Sequence, residues 1–200
     1  NETLDVLKST DENQIIGLIT MQNHTPYFKD NFSEINFTLN NTNLEEDRKN
    51  TIEAYYQSLH LSDRYLGEFI NEVSQLEKKV IVLFFGDHSA GLFDLTNSHS
   101  EKEVRDLSRI TPYFFYANYD NAFTSMNLPT TTPNCMVNTL YNQLNWQKDP
   151  QYYLIDQICS EEPILANTYL EGREFKNSLI LKKYELFTYD ILSGEQYWMK

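Results

Sequence analysis

The segment Lys79-Val-Ile-Val-Leu-Phe-Phe85 limits what this chain can fold into more than any other. After its lysine it is wholly β-branched, leucine or aromatic, and it stops sharply at Gly86, the pattern of a buried strand. Gln14-Ile-Ile-Gly-Leu-Ile-Thr20 is a second nearly continuous apolar run and predicts another strand buried on both faces. Between the two, residues 44–76 change to a period of 3.6. Ile52, Tyr55, Tyr56, Leu59, Tyr65, Leu66, Phe69, Ile70, Val73 and Leu76 fall on one broad stripe. Glu45, Glu46 and Asp47 crowd its start, where they complement the helix dipole. This predicts one long helix, or two meeting near Ser62, with His60 on its surface. A helix between two buried strands is the βαβ pattern, which predicts a parallel sheet.

Downstream, Thr111-Pro-Tyr-Phe-Phe-Tyr-Ala117 reads as a later strand of the same sheet. Residues 132–146 form an amphipathic helix, with Thr132 as N-cap and Pro133 at the first helical position. A short helix is expected over 151–159. Residues 178–199 alternate with a period near two, and Ser193-Gly194 marks a hairpin turn. The expected fold is therefore α/β, a mostly parallel sheet flanked by helices with a small C-terminal antiparallel β element. Residues 1–150 are read as the main α/β portion and 151–200 as a helix-and-hairpin subregion of the same domain.

Two hundred residues with 40% hydrophobic content can bury a sizeable core. A balance of 16 basic to 29 acidic residues gives a net charge of -13, which repels nucleic acid phosphates and argues against such a partner. No run of about eighteen apolar residues is present. The chain opens on Asn1 with a strand-like segment close behind, so it is read as cut from a longer protein, and it cannot report on targeting. Cys135 and Cys159, both in helical segments, are read as two buried thiols in preference to a pair. The Asn-x-Ser/Thr sites at Asn23, Asn31, Asn36 and Asn40 are read as chance in an Asn-rich chain.

The chemistry concentrates in Phe84-Phe-Gly-Asp-His-Ser-Ala-Gly91. In open α/β sheets, ligands bind outside the carboxyl ends of strands, where Asp87 and His88 stand. A carboxylate beside an imidazole suits a divalent ion, and the bland alternative is a turn with Asp87 capping and His88 solvated. His24, in His24-Thr-Pro-Tyr27, follows the other strand and is expected at the same sheet edge. There it could ligate metal, contact a phosphate or protonate a leaving group. His99 lies in a polar loop that could return over the site. No Ser, Thr or Cys sits in a nucleophile turn, and two ligands leave a metal under-coordinated, so the remainder would come from elsewhere or from water.

Asn23-His-Thr-Pro-Tyr27, the helix with Tyr56 and Asp63 through Leu66-Gly-Glu-Phe69, and Phe85-Gly-Asp-His-Ser-Ala90 occur in that order. With Thr111-Pro-Tyr-Phe-Phe-Tyr116, the 132–144 helix and Tyr189-Asp-Ile-Leu-Ser-Gly-Glu-Gln-Tyr197, they resemble the C-terminal half of the sulfatase-like domain of the lipoteichoic acid synthase family, in the alkaline phosphatase superfamily. The resemblance implies a phosphoglycerol transferase that moves glycerol phosphate from a phosphatidylglycerol-type lipid to a glycolipid or polymer acceptor. It implies manganese as cofactor, with zinc or magnesium as alternatives, and Asp87 and His88 as metal ligands. His24 would be the catalytic or substrate-phosphate residue, whereas His99 has no secure counterpart. The nucleophilic Thr, which would carry the phosphoryl group, and a further Glu ligand are expected before residue 1. The setting implied is the extracellular face of a bacterial membrane, Gram-positive by the family's pattern, with anchoring by an absent N-terminal region. Ser89-Ala90 replaces the aromatic-Gly that often follows Asp-His. Other enzymes of the superfamily (a phosphoethanolamine transferase, phosphatase or sulfatase) share the metal core, and a non-catalytic module that keeps the fold is the alternative from another class.

Overall fold

The computed structural model describes residues 2–40, 43–90, 92, 108–123, 127–164 and 178–197. They fall into two compact units, Asn1–Tyr119 and Asp120–Lys200.

In the first unit, helix α1 (Glu2–Lys8) precedes a 3-10 turn at Lys29–Asn31, the long helix α2 (Glu46–Ser74), and strands β1 (Ile81–Phe85) and β2 (Tyr113–Ala117). Helix α2 is a single continuous helix through Ser62, as the 3.6 period predicts, with Glu46 and Asp47 in its first turn. Its C-terminal half builds the core: Val73 is fully buried and packs with Leu4 of α1 and Val80, against Phe69, Leu76, Val82 and Tyr116. Asn118 closes the connection into β1. Its amide nitrogen donates to Val73 O, Leu76 O and Lys78 O, and its Oδ1 accepts from the Val80 amide at 2.8 Å. With those backbone groups satisfied, β1 has a fixed start relative to α2.

The sheet corrects one expectation. Strands β1 and β2 share a sheet, as read from the sequence, but they pair antiparallel, from Ile81 opposite Ala117 to Phe85 opposite Tyr113. A parallel sheet is not present among the described residues. Residues 14–20, expected as its other strand, form no regular element, and Ile15, Leu18 and Ile19 are exposed. The physical reason is that a strand exists only through its ladder partner, and no described segment supplies one. Lys78 holds the approach to this segment by donating to Thr10 O and Glu12 O at 2.9 and 2.8 Å.

The apolar stripe of α2 is also narrower than its periodicity suggests. Tyr56, Leu59 and Tyr65 are exposed, while the buried face of the N-terminal half includes Glu53, Gln57 and Ser58. These polar side chains serve the loop that crosses them. Glu53 Oε1 accepts from the Leu39 amide at 2.7 Å, and Gln57 Oε1 accepts from the Asn36 amide at 2.9 Å. A loop laid on a helix needs partners for its backbone donors, and here side chains provide them.

In the second unit, α3 (Pro133–Leu144), α4 (Pro150–Glu161) and α5 (Ser178–Leu192) pack in sequence. Thr132 and Pro133 start α3 as expected, although Thr132 makes no side-chain cap. Cys135 and Cys159 form a disulfide between α3 and α4, which corrects the reading as free thiols. Thiols on two facing helices meet if their turns are in register, and sequence spacing alone does not reveal that. Asp156 accepts from Asn138 at 2.7 Å and pairs with Lys148 at 2.8 Å beside that staple. Burial pushes its carboxyl up, but the hydrogen bonds from Lys148, Asn142 and Asn138 outweigh this and hold it below the usual range.

The expected C-terminal hairpin is likewise replaced, by helix α5. Ile180, Tyr184, Phe187 and Ile191 are partly buried at helical spacing, so the alternation was a chance overlay on a period of 3.6. Ser193-Gly194 ends this helix, where both amides donate to Tyr189 O at 2.8 and 2.9 Å. A Cβ at Gly194 would meet Asp190 Cα at 2.6 Å, which explains the glycine.

Candidate functional site

The turn after β1 is set by Gly86. Its amide donates to Pro112 O at 3.0 Å, and its carbonyl accepts from Thr111 Oγ1 at 2.7 Å. A Cβ here would stand 2.9 Å from Thr111 Cβ, so only glycine allows this approach. Asp87 and His88 follow at once, both exposed to solvent. Asp87 Oδ1 accepts from the His88 amide at 2.9 Å. His88 Nδ1 lies 2.9 Å from Ser89 O, and because a carbonyl only accepts, that nitrogen carries the proton. Two lone-pair donors remain free, Asp87 Oδ2 and His88 Nε2, and they stand 3.6 Å apart. Two ligands bound at ordinary metal distances of about 2.1 Å are separated by about 3.0–3.4 Å, so small torsions would let this pair chelate one ion. The donor set fits a divalent cation as two ligands. Among the described residues no third His, Cys, Asp or Glu completes a metal cluster.

The His24 loop is held with similar care. The His24 amide donates to Met21 O at 3.1 Å, and Tyr27 Oη donates to Asn23 O at 2.6 Å. The Thr25–Pro26 peptide is cis. His24 Nδ1 lies 2.6 Å from Thr25 O, which again places the proton on Nδ1 and leaves Nε2 free. Burial raises the Tyr27 phenol above its ordinary 10.0, with Tyr55 adding to the effect, so it stays a proton donor across the physiological range. Its ring meets Tyr55 edge-on, with centroids 5.2 Å apart.

These two segments converge. Tyr27, Ala54 of α2 and Leu92 form one buried cluster, with Phe32, Tyr55 and Ala90 packed against it. Tyr27 is three residues beyond His24, and Ala90 is three beyond Asp87. Helix α2 also grips both sides by polar contacts: Arg48 Nη2 donates to Leu92 O, while Ser58 and Ser62 hold Asn23. Ser89 Oγ anchors the Asp87–His88 turn to Ser108 O. Sequence reasoning passed over Arg48 and Ser58, and it gave Asn23, Ser62 and Ser89 no part in holding these segments. A signal existed in the i, i+4 spacing of Ser58 and Ser62 on a helix opposite an Asn-rich loop.

Of the other candidates, His60 lies on the surface of α2 with its ring 5.7 Å from that of Phe37. His99 lies outside the described residues. A shallow groove on α2 lined by Gly67, Glu68, Ile70, Asn71 and Ser74 contains none of His24, Asp87 and His88. No helix among the described residues is long and apolar enough to cross a membrane.

Among solved structures, the fold matches that of the Streptococcus pyogenes phosphoglycerol transferase GacH in complex with sn-glycerol-1-phosphate. The TM-score is 0.65 at 21% identity, over 90% of this chain and 44% of that one. The chain thus spans less than half the length of that protein. No curated protein sequence matches the chain. The family model described as Sulfatase matches residues 1–146. The likeness to that phosphoglycerol transferase is one of fold, and the match over residues 1–146 shows that this chain belongs to the sulfatase family.

Proposed function

We propose that this chain contributes the Asp87–His88 and His24 side of a metal-dependent phosphoglycerol transferase site. The observation that carries the reading is the shared cluster of Tyr27, Ala54 and Leu92, which gathers both chemistry-bearing segments on α2. Sulfatase and alkaline phosphatase superfamily members generally depend on divalent metals. The structural neighbour binds sn-glycerol-1-phosphate, which supports a glycerol phosphate-bearing substrate here. In this reading the donor is a phosphatidylglycerol-type lipid and the acceptor a glycolipid or polymer. The Cys135–Cys159 disulfide supports an oxidising, extracytoplasmic setting, which in this reading is the outer face of a membrane.

Asp87 Oδ2 and His88 Nε2 would hold the ion, manganese in our reading. When bound, it supplies charge neutralisation to the phosphoryl oxygens and lowers the pKa of a coordinated hydroxyl. Asp87 keeps its free oxygen forward because its other oxygen is occupied by the His88 amide. The Ser89 carbonyl fixes the tautomer of His88 so that Nε2 is the ligating atom. His24, with Nε2 free, serves the substrate phosphate or, as imidazolium, donates a proton to the departing glyceride oxygen. A nucleophile and further ligands come from polypeptide other than these residues.

The test is turnover of phosphatidylglycerol by the full-length protein, with a phosphoethanolamine lipid and an aryl sulfate in parallel. Chelation should abolish release of diacylglycerol, and manganese should restore it. Preferential hydrolysis of the sulfate ester, or metal-independent turnover, would overturn the reading.

A further inference from the structure

The residues that fix the His24 loop belong to a different element from the loop itself. Ser58 and Ser62 stand one helical turn apart on α2 and face the same atom. Ser58 Oγ lies 2.8 Å from Asn23 Oδ1 and Ser62 Oγ lies 2.9 Å from it. Ser58 also donates to Gln22 O, the carbonyl just before Asn23. Ser58 is 1% exposed, so its bonds form away from water, whereas Ser62 is half-buried. The Asn23 carbonyl meanwhile accepts from Tyr27 Oη at 2.6 Å. The residue immediately before His24 is therefore held by its side chain from α2 and by its backbone from the Tyr27 ring.

We propose that Ser58 and Ser62 are positioning residues that act through Asn23 to set the place of the His24 ring. This rests on the reading of His24 as a substrate-facing group. A purely structural purpose for the two hydroxyls is weakly motivated, because the loop is attached to α2 elsewhere. The Lys29–Glu53 ion pair, the Leu39 and Asn36 amides and the buried Tyr27 ring anchor it along its length. The serines' contacts fall on Gln22 and Asn23, the two residues before His24. Because Nδ1 of His24 is engaged by the adjacent Thr25 carbonyl, the ring direction follows the local backbone. A clamp on Asn23 thus becomes a constraint on where Nε2 lies. Displacing a reacting group by about 1 Å can cost about 10²-fold in rate, whereas deleting one of several loop anchors costs only modest stability.

The test is a double-mutant cycle in the full-length protein, with phosphatidylglycerol in detergent micelles and added manganese. Ser58→Ala/Ser62→Ala should lower kcat roughly 10- to 100-fold, with bound metal unchanged. In a His24→Ala background the same pair should cost less than about twofold more, because the group it positions is gone. Ser62→Thr, which keeps the hydroxyl, should stay within about threefold of the native rate. The proposal is overturned if the serine pair leaves kcat within about twofold of native, or if its loss is equal in both backgrounds, the mark of a structural effect. Asp87→Ala separates this failure from that of the site reading. An inactive Asp87→Ala with an active serine double variant removes the positioning role alone. An active Asp87→Ala, or a native protein that does not turn over the lipid, removes both.

Discussion

Tyr27 and Leu92 are buried in the same cluster, 7% and 8% exposed, on either side of Ala54 in sequence. That cluster links the loop bearing His24 to the turn bearing Asp87 and His88, and Ala54 within it has no exposed surface at all. Ala54→Leu should overpack this junction and destabilise the first unit by about 1–3 kcal/mol. Chemical unfolding checks the stability. A free energy unchanged within about 0.5 kcal/mol would mean that the junction is loosely packed.

Glu53 gives the junction a pH dependence. The hydrogen bond from Lys29 is the largest cause that holds its carboxyl below the ordinary 4.5, against burial, with the Leu39 amide helping. A lowered folded-state value means that the contribution is fully present above about pH 4.5 and is lost as pH falls through the folded value. Glu53→Gln should cost about 1–3 kcal/mol at neutral pH and flatten the loss of stability as pH falls below about 4.5. Equilibrium unfolding across that range measures it, and an unchanged pH profile would remove Glu53 as the sensor.

The long helix, both paired strands and the three motif segments were legible in the sequence because each rests on a local pattern. The period of 3.6 over 46–74, the β-branched run before Gly86 and the Thr132-Pro133 start need no partner to be recognised. Strand direction was not legible, since pairing partners are non-local and the βαβ rule presumes that residues 14–20 enter the same ladder. The disulfide and helix α5 were missed for related reasons. A pair of thiols reveals its register only in three dimensions, and the tail's alternation coincided with helical spacing. At the candidate site, residue types marked Asp87, His88 and His24, but the groups that hold the His24 loop are polar residues on a helix face that its periodicity marked as apolar.

Stability should be distributed as burial is. Val73→Ala, at a position with no exposure, should cost about 2 kcal/mol, whereas Ile19→Ser, at 87% exposure, should change the stability of this chain by less than about 0.5 kcal/mol. Parallel denaturant titrations decide the matter. A large loss from Ile19→Ser would show that residues 14–20 are packed in solution.

The Cys135–Cys159 bond closes a sequence separation of 24 residues between α3 and α4. Its removal as the double Ala variant should destabilise the second unit by roughly 2–4 kcal/mol. Thermal unfolding with and without reductant reports this, and a native protein insensitive to reductant would contradict it.

Metal content, measured on the full-length protein alongside turnover, tests the central claim most directly. Asp87→Ala should lose the bound divalent ion and activity together, because Asp87 Oδ2 and His88 Nε2 are the two side-chain donors proposed for the ion among the described residues of this turn. His24→Ala should keep the ion and lose about 10²–10⁴-fold in rate. An Asp87→Ala protein that retained its metal and its full rate would contradict the assignment.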